Sequence, residues 1–322
     1  MKTPKFWYKK NIISYILSPF GWLYHCATYL RLKLKKTYKS PLPVICVGNL
    51  TAGGTGKTPV AIAIAEILKQ NKNNPFFISR GYGGTLKGIV VDNNVHTAKD
   101  VGDEPLLLSQ VAPVCINHDR AMSAKLAFNN GAKSLIMDDG FQNPSLYKDL
   151  SFLVFNGNFG VGNGKVIPAG PLRESFNSGI KRANAIIIIG DDKTGIAQKT
   201  SLPIFFADIK EEKPTLANKN VYAFAGIGYP EKLYQSLKKT GLNVVRTKDF
   251  PDHHFYSEEE LRDIIKTAQK ENLSIFTTSK DYVKIPHQLQ KFFNVLHIKI
   301  QWRDKLAFEN FLKNYIEHCN DK

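Results

Sequence analysis

Acid is missing from the start of this 322-residue chain: Met1 to Ala65 holds no Asp or Glu, and Glu66 is the first. The same stretch holds ten Lys or Arg, and the whole chain carries 44 basic against 28 acidic residues, a net charge of +16. Such an excess favours an anionic partner, whether nucleic acid, a phospholipid surface or a phosphorylated substrate. Cysteine is sparse. Cys26, Cys46, Cys115 and Cys319 stand apart with no CxxC spacing, which excludes a disulfide framework and a cysteine zinc site and fits a reducing cytosol. No internal repeat or low-complexity tract occurs. The 43% apolar content argues against global disorder, and the length suits two domains or one large one. A long unbroken apolar run is also lacking. Asn11 to Leu30, "NIISYILSPFGWLYHCATYL", is interrupted by Pro19 and Gly21 and contains His25. A straight spanning helix needs about 20 predominantly apolar residues. No small-residue cleavage site follows, so a removable signal peptide is the weaker reading.

That broken run is flanked by Lys9 and Lys10 before it and by Arg31, Lys33, Lys35 and Lys36 after it. Trp and Tyr suit headgroup depth, and the basic flanks suit anionic lipid. The expectation is an N-terminal membrane-associated helix lying in the interface; the alternative is a helix packed on its own domain.

Beyond it, short apolar runs alternate with helical patterns. "PVICVG", "PFFISR", "VCIN", "SLIMDDG", "SFLVFN" and "AIIIIG" read as strands; "TPVAIAIAEILKQ", "DEPLLLSQVA" and "DRAMSAKLAFNNG" read as helices. This predicts an α/β fold with a mainly parallel sheet. "DDKTGIAQKTS" reads as a loop and the charged "PIFFADIKEEKPTL" as an extended linker. A second α/β series follows, with a capping box at Ser257 and Glu260 and a last helix from about Lys305 to His318. The expected division is 1–38 for the hydrophobic and basic segment, 39–205 for the main domain and 206–322 for a smaller C-terminal α/β domain.

The chemistry starts at "VGNLTAGGTGKTPVA". The P-loop pattern asks for Gly, four residues, then Gly-Lys-Ser/Thr. Gly56, Lys57 and Thr58 match, while Thr51 takes the first glycine's place. The strand before and the helix after are in the right places. The expected nucleotide-binding residues are Thr51, Ala52, Gly53, Gly54, Thr55, Gly56, Lys57 and Thr58. The glycines turn backbone N–H groups toward phosphate oxygens, and the new helix offers its N-terminus to the same anion. Lys57 would reach the β- and γ-phosphates of a nucleotide, and the Thr58 hydroxyl would bind Mg²⁺. Asp138 and Asp139 follow an apolar strand, a Walker B arrangement that delivers an acid beside the loop.

The acceptor must be read elsewhere. "VGDEP" puts Asp103 and Glu104 at a helix start, where an acid also serves as a cap. "FPDHHFY" groups Asp252, His253 and His254. A kinase acting on a sugar hydroxyl needs a base, and an Asp assisted by a His supplies one. The structural alternatives are a plain cap and a loop hydrogen-bonder. Arg120, after "VCIN", and Arg173, in "PAGPLRE" beside Glu174, are candidates for bidentate phosphate binding or ordinary surface arginines.

The stretches "VGNLTAGGTGKTP", "SRGYGG", "VGDEP", "MDDGFQ", "NGKVIPAGPLRE", "FAGIGYP", "FPDHH" and "TTSKDYVK" run in order from about residue 41 to 284. Together they resemble the tetraacyldisaccharide 4'-kinases of lipid A synthesis. The resemblance implies a P-loop NTPase-like domain, a second smaller α/β domain, and an active site between them. It implies transfer of the ATP γ-phosphoryl, with Mg²⁺, to the 4'-hydroxyl of a lipid-linked glucosamine disaccharide 1-phosphate. The product is lipid IVA. By the same resemblance Asp103 works with His253 as the base, His254 being the lesser candidate. Asp138, Asp139 and Glu174 join Thr58 as metal or nucleotide ligands. Glu104, Arg120, Gln142 and Arg173 hold phosphate or sugar. The implied place is the cytoplasmic face of the bacterial inner membrane, peripheral or monotopic, with an anionic surface as partner, no nucleic acid and no obligate protein partner. Two positions depart from the family pattern. Asn143 stands where His is usual after "DDGFQ" and cannot titrate. Ser279 replaces the acid of "TTEKD".

Two other readings compete. A partitioning-type ATPase docked on membrane would carry a signature lysine where this chain has Ala52. A nucleic-acid or anionic-lipid binding module predicts basic stripes mixed with aromatics throughout. Here the acid-free zone is confined to the N-terminus.

Overall fold

Short runs such as Ala185–Ile189, dense in β-branched isoleucine and bounded by turns, form buried strands. A computed structural model describes residues 4–9, 11–215 and 218–320, without the side chains of 318 and 320. Lys10, one of the flanking lysines, lies outside the described residues, as does part of the stretch read as a linker.

The strands are β1 (Val44–Gly48), β2 (Pro75–Ser79), β3 (Ile89–Val90), β4 (Val114–Ile116), β5 (Ser134–Asp138), β6 (Leu150–Asn156), β7 (Ala185–Ile189), β8 (Ile204–Glu211), β9 (Asn220–Ala225), β10 (Asn243–Asp249), β11 (Ser274–Thr277), β12 (Phe293–Val295) and β13 (Ile298–Trp302). Among the described residues they form a nine-stranded sheet, β13-β8-β7-β6-β1-β5-β2-β4-β3, and a four-stranded sheet, β10-β9-β11-β12. The larger sheet is parallel except at its two ends, where β13 and β3 run antiparallel to their neighbours. The smaller sheet is parallel throughout.

Both faces of the large sheet are covered, so alternate residues of one strand feed opposite cores. Ile45 and Val47 of β1 pack in one core with Val60, Ile64 and Leu68 of the helix Lys57–Gln70. Val44 and Cys46 pack in the other with Ala124 and Ala127 of the helix Arg120–Asn129. The smaller sheet repeats the plan. Leu261 and Ile264 of the helix Glu258–Lys270 cover one face, and Leu233 and Leu237 of the helix Glu231–Lys239 cover the other. The capping box at Ser257 forms as the spacing predicts.

The charged stretch read as a linker is β8. Its Phe205, Ala207 and Ile209 face one core while Ile204 and Phe206 face the other. Asp208 is satisfied by Arg303, which donates two hydrogen bonds of 3.0 Å. The chain then leaves for the small sheet and returns. β13 pairs with β8, and Phe308 and Leu312 of the helix Lys305–Asn320 complete the large sheet's core. A boundary at 205/206 therefore cuts a strand of the large sheet. Residues 220–295 build the small one.

The N-terminal run forms two helices, Ile12–Ile16 and Ser18–Leu34, with Pro19 tolerated in the first turn of the second. One side is clasped to the loop 163–170. Trp7 Nε1 donates to Pro168 O at 3.0 Å, and Lys165 Nζ donates to Ser18 Oγ at 2.7 Å. The other side leaves Ile12, Ile16, Phe20, Trp22 and Leu23 exposed. No helix among the described residues is long and apolar enough to cross a membrane.

Candidate functional site

β1 enters the glycine-rich loop between β5 and β6, near the middle of the large sheet. Register pairs Val47 with Asp138, so the acid ends its strand beside the loop. The loop is braced from below. Buried Asn49 Nδ2 donates to Thr51 O at 2.7 Å and to Thr55 Oγ1 at 3.1 Å. Ala52 N donates to Pro171 O at 2.8 Å, and Arg173 N to Leu50 O at 2.7 Å, tying the loop to "PAGPLRE". Thr51 pairs with Leu172 in an isolated bridge, so a backbone pairing occupies the first-glycine position. Gly56 precedes the helix with φ +94°, a left-handed conformation that favours glycine.

Thr58 Oγ1 donates to Asp138 Oδ2 at 2.6 Å. Burial pushes the Asp138 carboxyl up to about 7, and the neighbouring Glu104 charge adds to this. Its Oδ1 is buried with no hydrogen-bond partner among the described residues. Asp139 behaves differently. Arg173 donates to both its oxygens, at 2.8 and 3.3 Å, and Lys57 Nζ lies 3.7 Å away. Burial raises its carboxyl, but Lys57 and Arg173 outweigh that and hold it below the usual range. Glu174 is 1% exposed and is taken by Arg182 and by Gln142 Nε2. Gln142 also donates to Asn49 O at 2.9 Å.

The Mg²⁺ implied by the loop can be tested against these residues. Mg²⁺ uses one or two carboxylates and fills the rest of its shell with phosphate and water. The Thr58 hydroxyl and the partnerless Asp138 Oδ1 fit that need. Asp139 and Glu174 are committed to cationic side chains, which departs from the expected four-residue metal set. Among the described residues no group of three or more His, Cys, Asp or Glu is placed to hold a metal.

A second cluster joins the two sheets. Gly102, with φ +93° and ψ 155°, precedes the helix Asp103–Ser109, so Asp103 is its first residue and not its cap. Asp103 is buried, and His253 Nδ1 lies 3.0 Å from its Oδ2 and 3.3 Å from its Oδ1. Burial raises the Asp103 carboxyl, but the His253 hydrogen bond and the Lys280 charge outweigh it and lower it overall. The hydrogen bond to Asp103 lifts the His253 imidazole above its ordinary value, while burial and Lys280 pull it down. His254 turns elsewhere, 3.0 Å from Glu260 and stacked on Phe250. Lys280 Nζ reaches Glu104 Oε1 at 3.3 Å, and Lys232 Nζ donates to Gly54 O at 3.3 Å, both from the small sheet's side. No motif spacing in the sequence points to either lysine. Lys280 lies inside the quoted "TTSKDYVK", the one signal that could have marked it.

Arg120 is buried, donates to Asn117 O at 3.2 Å, and has no carboxylate partner among the described residues. Burial and the nearby Arg80 lower its guanidinium to about 10. Of the departures, Asn143 Oδ1 accepts from Ser145 N at 2.9 Å and Oγ at 2.7 Å, a turn-holding role that needs no titration. Ser279 simply opens the short helix that carries Lys280.

A glycine-rich loop on a central parallel strand, its threonine held by the next strand's acid, defines a P-loop nucleotide-binding protein. An Asp–His pair joined to it by the second sheet suits a kinase. The chain belongs to the tetraacyldisaccharide-1-P 4'-kinase (LpxK) family, whose model matches residues 13–317. Two relatives, each named tetraacyldisaccharide 4'-kinase, are similar over their length. That of Rhodospirillum rubrum is 41% identical, covering 98% of each chain, and that of Rhodospirillum centenum is 42% identical, covering all of this chain and 98% of its own. The crystal structure of LpxK from Aquifex aeolicus in complex with ATP superposes with a TM-score of 0.78 at 28% identity, covering 95% of this chain and 100% of that one.

Proposed function

We propose that this chain transfers the γ-phosphoryl group of ATP to the 4'-hydroxyl of a tetraacyl glucosamine disaccharide 1-phosphate, releasing ADP. The observation that carries the reading is the Asp103–His253 pair, joined across two sheets in a chain whose loop is built for phosphate. In the transfer the hydroxyl oxygen forms the new P–O bond, and the γ-phosphorus bond to the bridging oxygen breaks. ADP leaves with that electron pair, and Asp103 takes the hydroxyl proton. A loose transition state asks mostly for positioning and charge neutralisation.

Lys57 and the backbone N–H groups of residues 53–58 bind the triphosphate. Thr58 and Asp138 would hold Mg²⁺, which when bound supplies charge neutralisation at the phosphates. Arg120 has guanidinium donors to spare for an anionic group of the substrate. Arg173 and Gln142 brace Asp139 and the loop, and Glu104 positions Lys280. The exposed Ile12, Ile16, Phe20, Trp22 and Leu23 suit the acyl region of an anionic inner-membrane surface, on its cytoplasmic face, where a lipid substrate must be met.

The test is transfer of labelled γ-phosphate from ATP to the lipid disaccharide 1-phosphate in detergent by full-length protein. Labelled lipid is expected. No lipid product, with ATP hydrolysis stimulated by DNA, would overturn the reading in favour of a partitioning-type ATPase.

A further inference from the structure

A second contact joins the sheets, away from the Asp103–His253 pair. The helix Glu231–Lys239 turns Leu233 and Leu237 onto its own sheet and presents Lys232 and Ser236, four residues apart, to the large one. Ser236 Oγ donates to Glu211 Oε1 of β8 at 2.6 Å, and Lys232 Nζ donates to Gly54 O, in the phosphate loop, at 3.3 Å. β8 passes beside that loop: a Cβ added at Gly56 would lie 3.7 Å from Ile209 Cδ1. Lys232 is exposed and, among the described residues, has no carboxylate partner. It stands in the first turn of its helix, where a cation opposes the helix dipole. Core packing, ion pairing and local helix stability all fail to account for it.

The phosphate loop does account for it. A trans peptide is planar, so the Gly54 carbonyl and the Thr55 N–H point in opposite directions. Lys232 draws the carbonyl toward the small sheet, which turns the N–H away from it. Among the described residues that N–H has no acceptor, although Thr55 is buried and Asn49 Nδ2 donates to its hydroxyl at 3.1 Å. A Cβ added at Gly53 or Gly54 would meet nothing within 4 Å, so the space in front of these residues is open. A backbone N–H held still and facing open space is a ready donor for an anion. We infer that Lys232 is a positioning residue for the nucleotide: by holding the Gly54 carbonyl it aims the Thr55 N–H at a phosphate oxygen of ATP. The inference rests on reading the loop as the ATP site. It gives the small sheet a share in nucleotide affinity through one hydrogen bond, separate from the proton transfer.

Isothermal titration calorimetry of the full-length protein with ATP and with ADP, in the absence of lipid, tests this. Lys232→Met should weaken both nucleotides about tenfold, the loss of one charge-assisted hydrogen bond in a partly wet site. Lys232→Arg should stay within about twofold of the unaltered protein, since a charged donor returns. In the transfer assay the KM for ATP should rise by the same factor in Lys232→Met, with kcat at saturating ATP unchanged. Ser236→Ala removes the other tie on the same helix face and should leave both affinities in place. Unaltered nucleotide binding in Lys232→Met overturns the inference, as does a fall in kcat with KM unchanged. So does an equal loss in Ser236→Ala, which would place the effect in the seating of the helix rather than at Gly54. Failure of the unaltered protein to bind ATP would strike the loop reading itself, and the inference with it.

Discussion

Asp103 and His253 stand 150 positions apart in sequence and meet at 3.0 Å, one on a helix of the nine-stranded sheet, the other on a loop of the four-stranded sheet. Bringing the sheets together is therefore the same event as assembling the proposed base. The neighbouring histidine takes no part, because its ring is held by Glu260 and Phe250.

Asp103→Ala should lower kcat by about 10²–10⁴, the span typical of a lost acid–base group, and leave ATP affinity unchanged. His253→Ala should follow in the same direction. His254→Ala should leave turnover near that of the unaltered protein and cost only modest stability. Wild-type turnover in Asp103→Ala would remove Asp103 from the base role.

Asp138 gives a pH-dependent prediction for the metal-free protein. Its carboxyl rests near 7 in the fold against an ordinary value of 3.8, so the folded state disfavours its charge. The penalty grows as pH rises from the unfolded value to the folded one, and levels off above it. Asp138→Asn should therefore raise the melting temperature by a few degrees at pH 8 and by less at pH 5. It should also lose phosphoryl transfer. Equal shifts at the two pH values would contradict the buried, partnerless oxygen.

Gly102 sits where only glycine is comfortable, and an added Cβ would lie 2.4 Å from Tyr82 O. Gly102→Ala should cost about 1–3 kcal/mol in chemical denaturation, a range typical of forced backbone strain. It should lower turnover as well, because Asp103 is the next residue. An unchanged midpoint would show that the turn adapts.

The apolar face of the N-terminal helices is testable without deletion. Ile12→Ser, Ile16→Ser and Trp22→Ser alter side chains that are 77%, 68% and 66% exposed, so folding should be spared. The triple variant should fail to sediment with anionic vesicles while keeping its circular dichroism. Removing the whole segment is a poorer test. It would also unclasp Trp7 and Lys165, which hold the loop leading to Arg173.

Much of the fold was legible because its signals are local. The isoleucine run of β7, the glycines before Lys57 and the Ser257 capping box each act within a few residues. β8 reads as a linker from sequence because its charges look like solvated chain. Asp208 is in fact paired with Arg303, 95 residues away. Lys280 escaped for a related reason: nothing within its own turn distinguishes it from a surface lysine.

The sequence by itself determined a strand, a phosphate loop and a helix from residue 44 to 70, an acid at the end of a neighbouring strand, and an acid-free apolar start with basic flanks. Hydrophobic periodicity, glycine geometry and the distribution of charge suffice for these. Only the tertiary structure decided which carboxylates stay free and which are held. Among the described residues Asp138 keeps an oxygen without a hydrogen-bond partner, while Asp139 and Glu174 are bound by Arg173 and Arg182. It also decided that His253 meets Asp103 and that Lys280 meets both. Those outcomes depend on burial, strand register and the seating of one sheet against the other, which are long-range properties no local window of sequence contains.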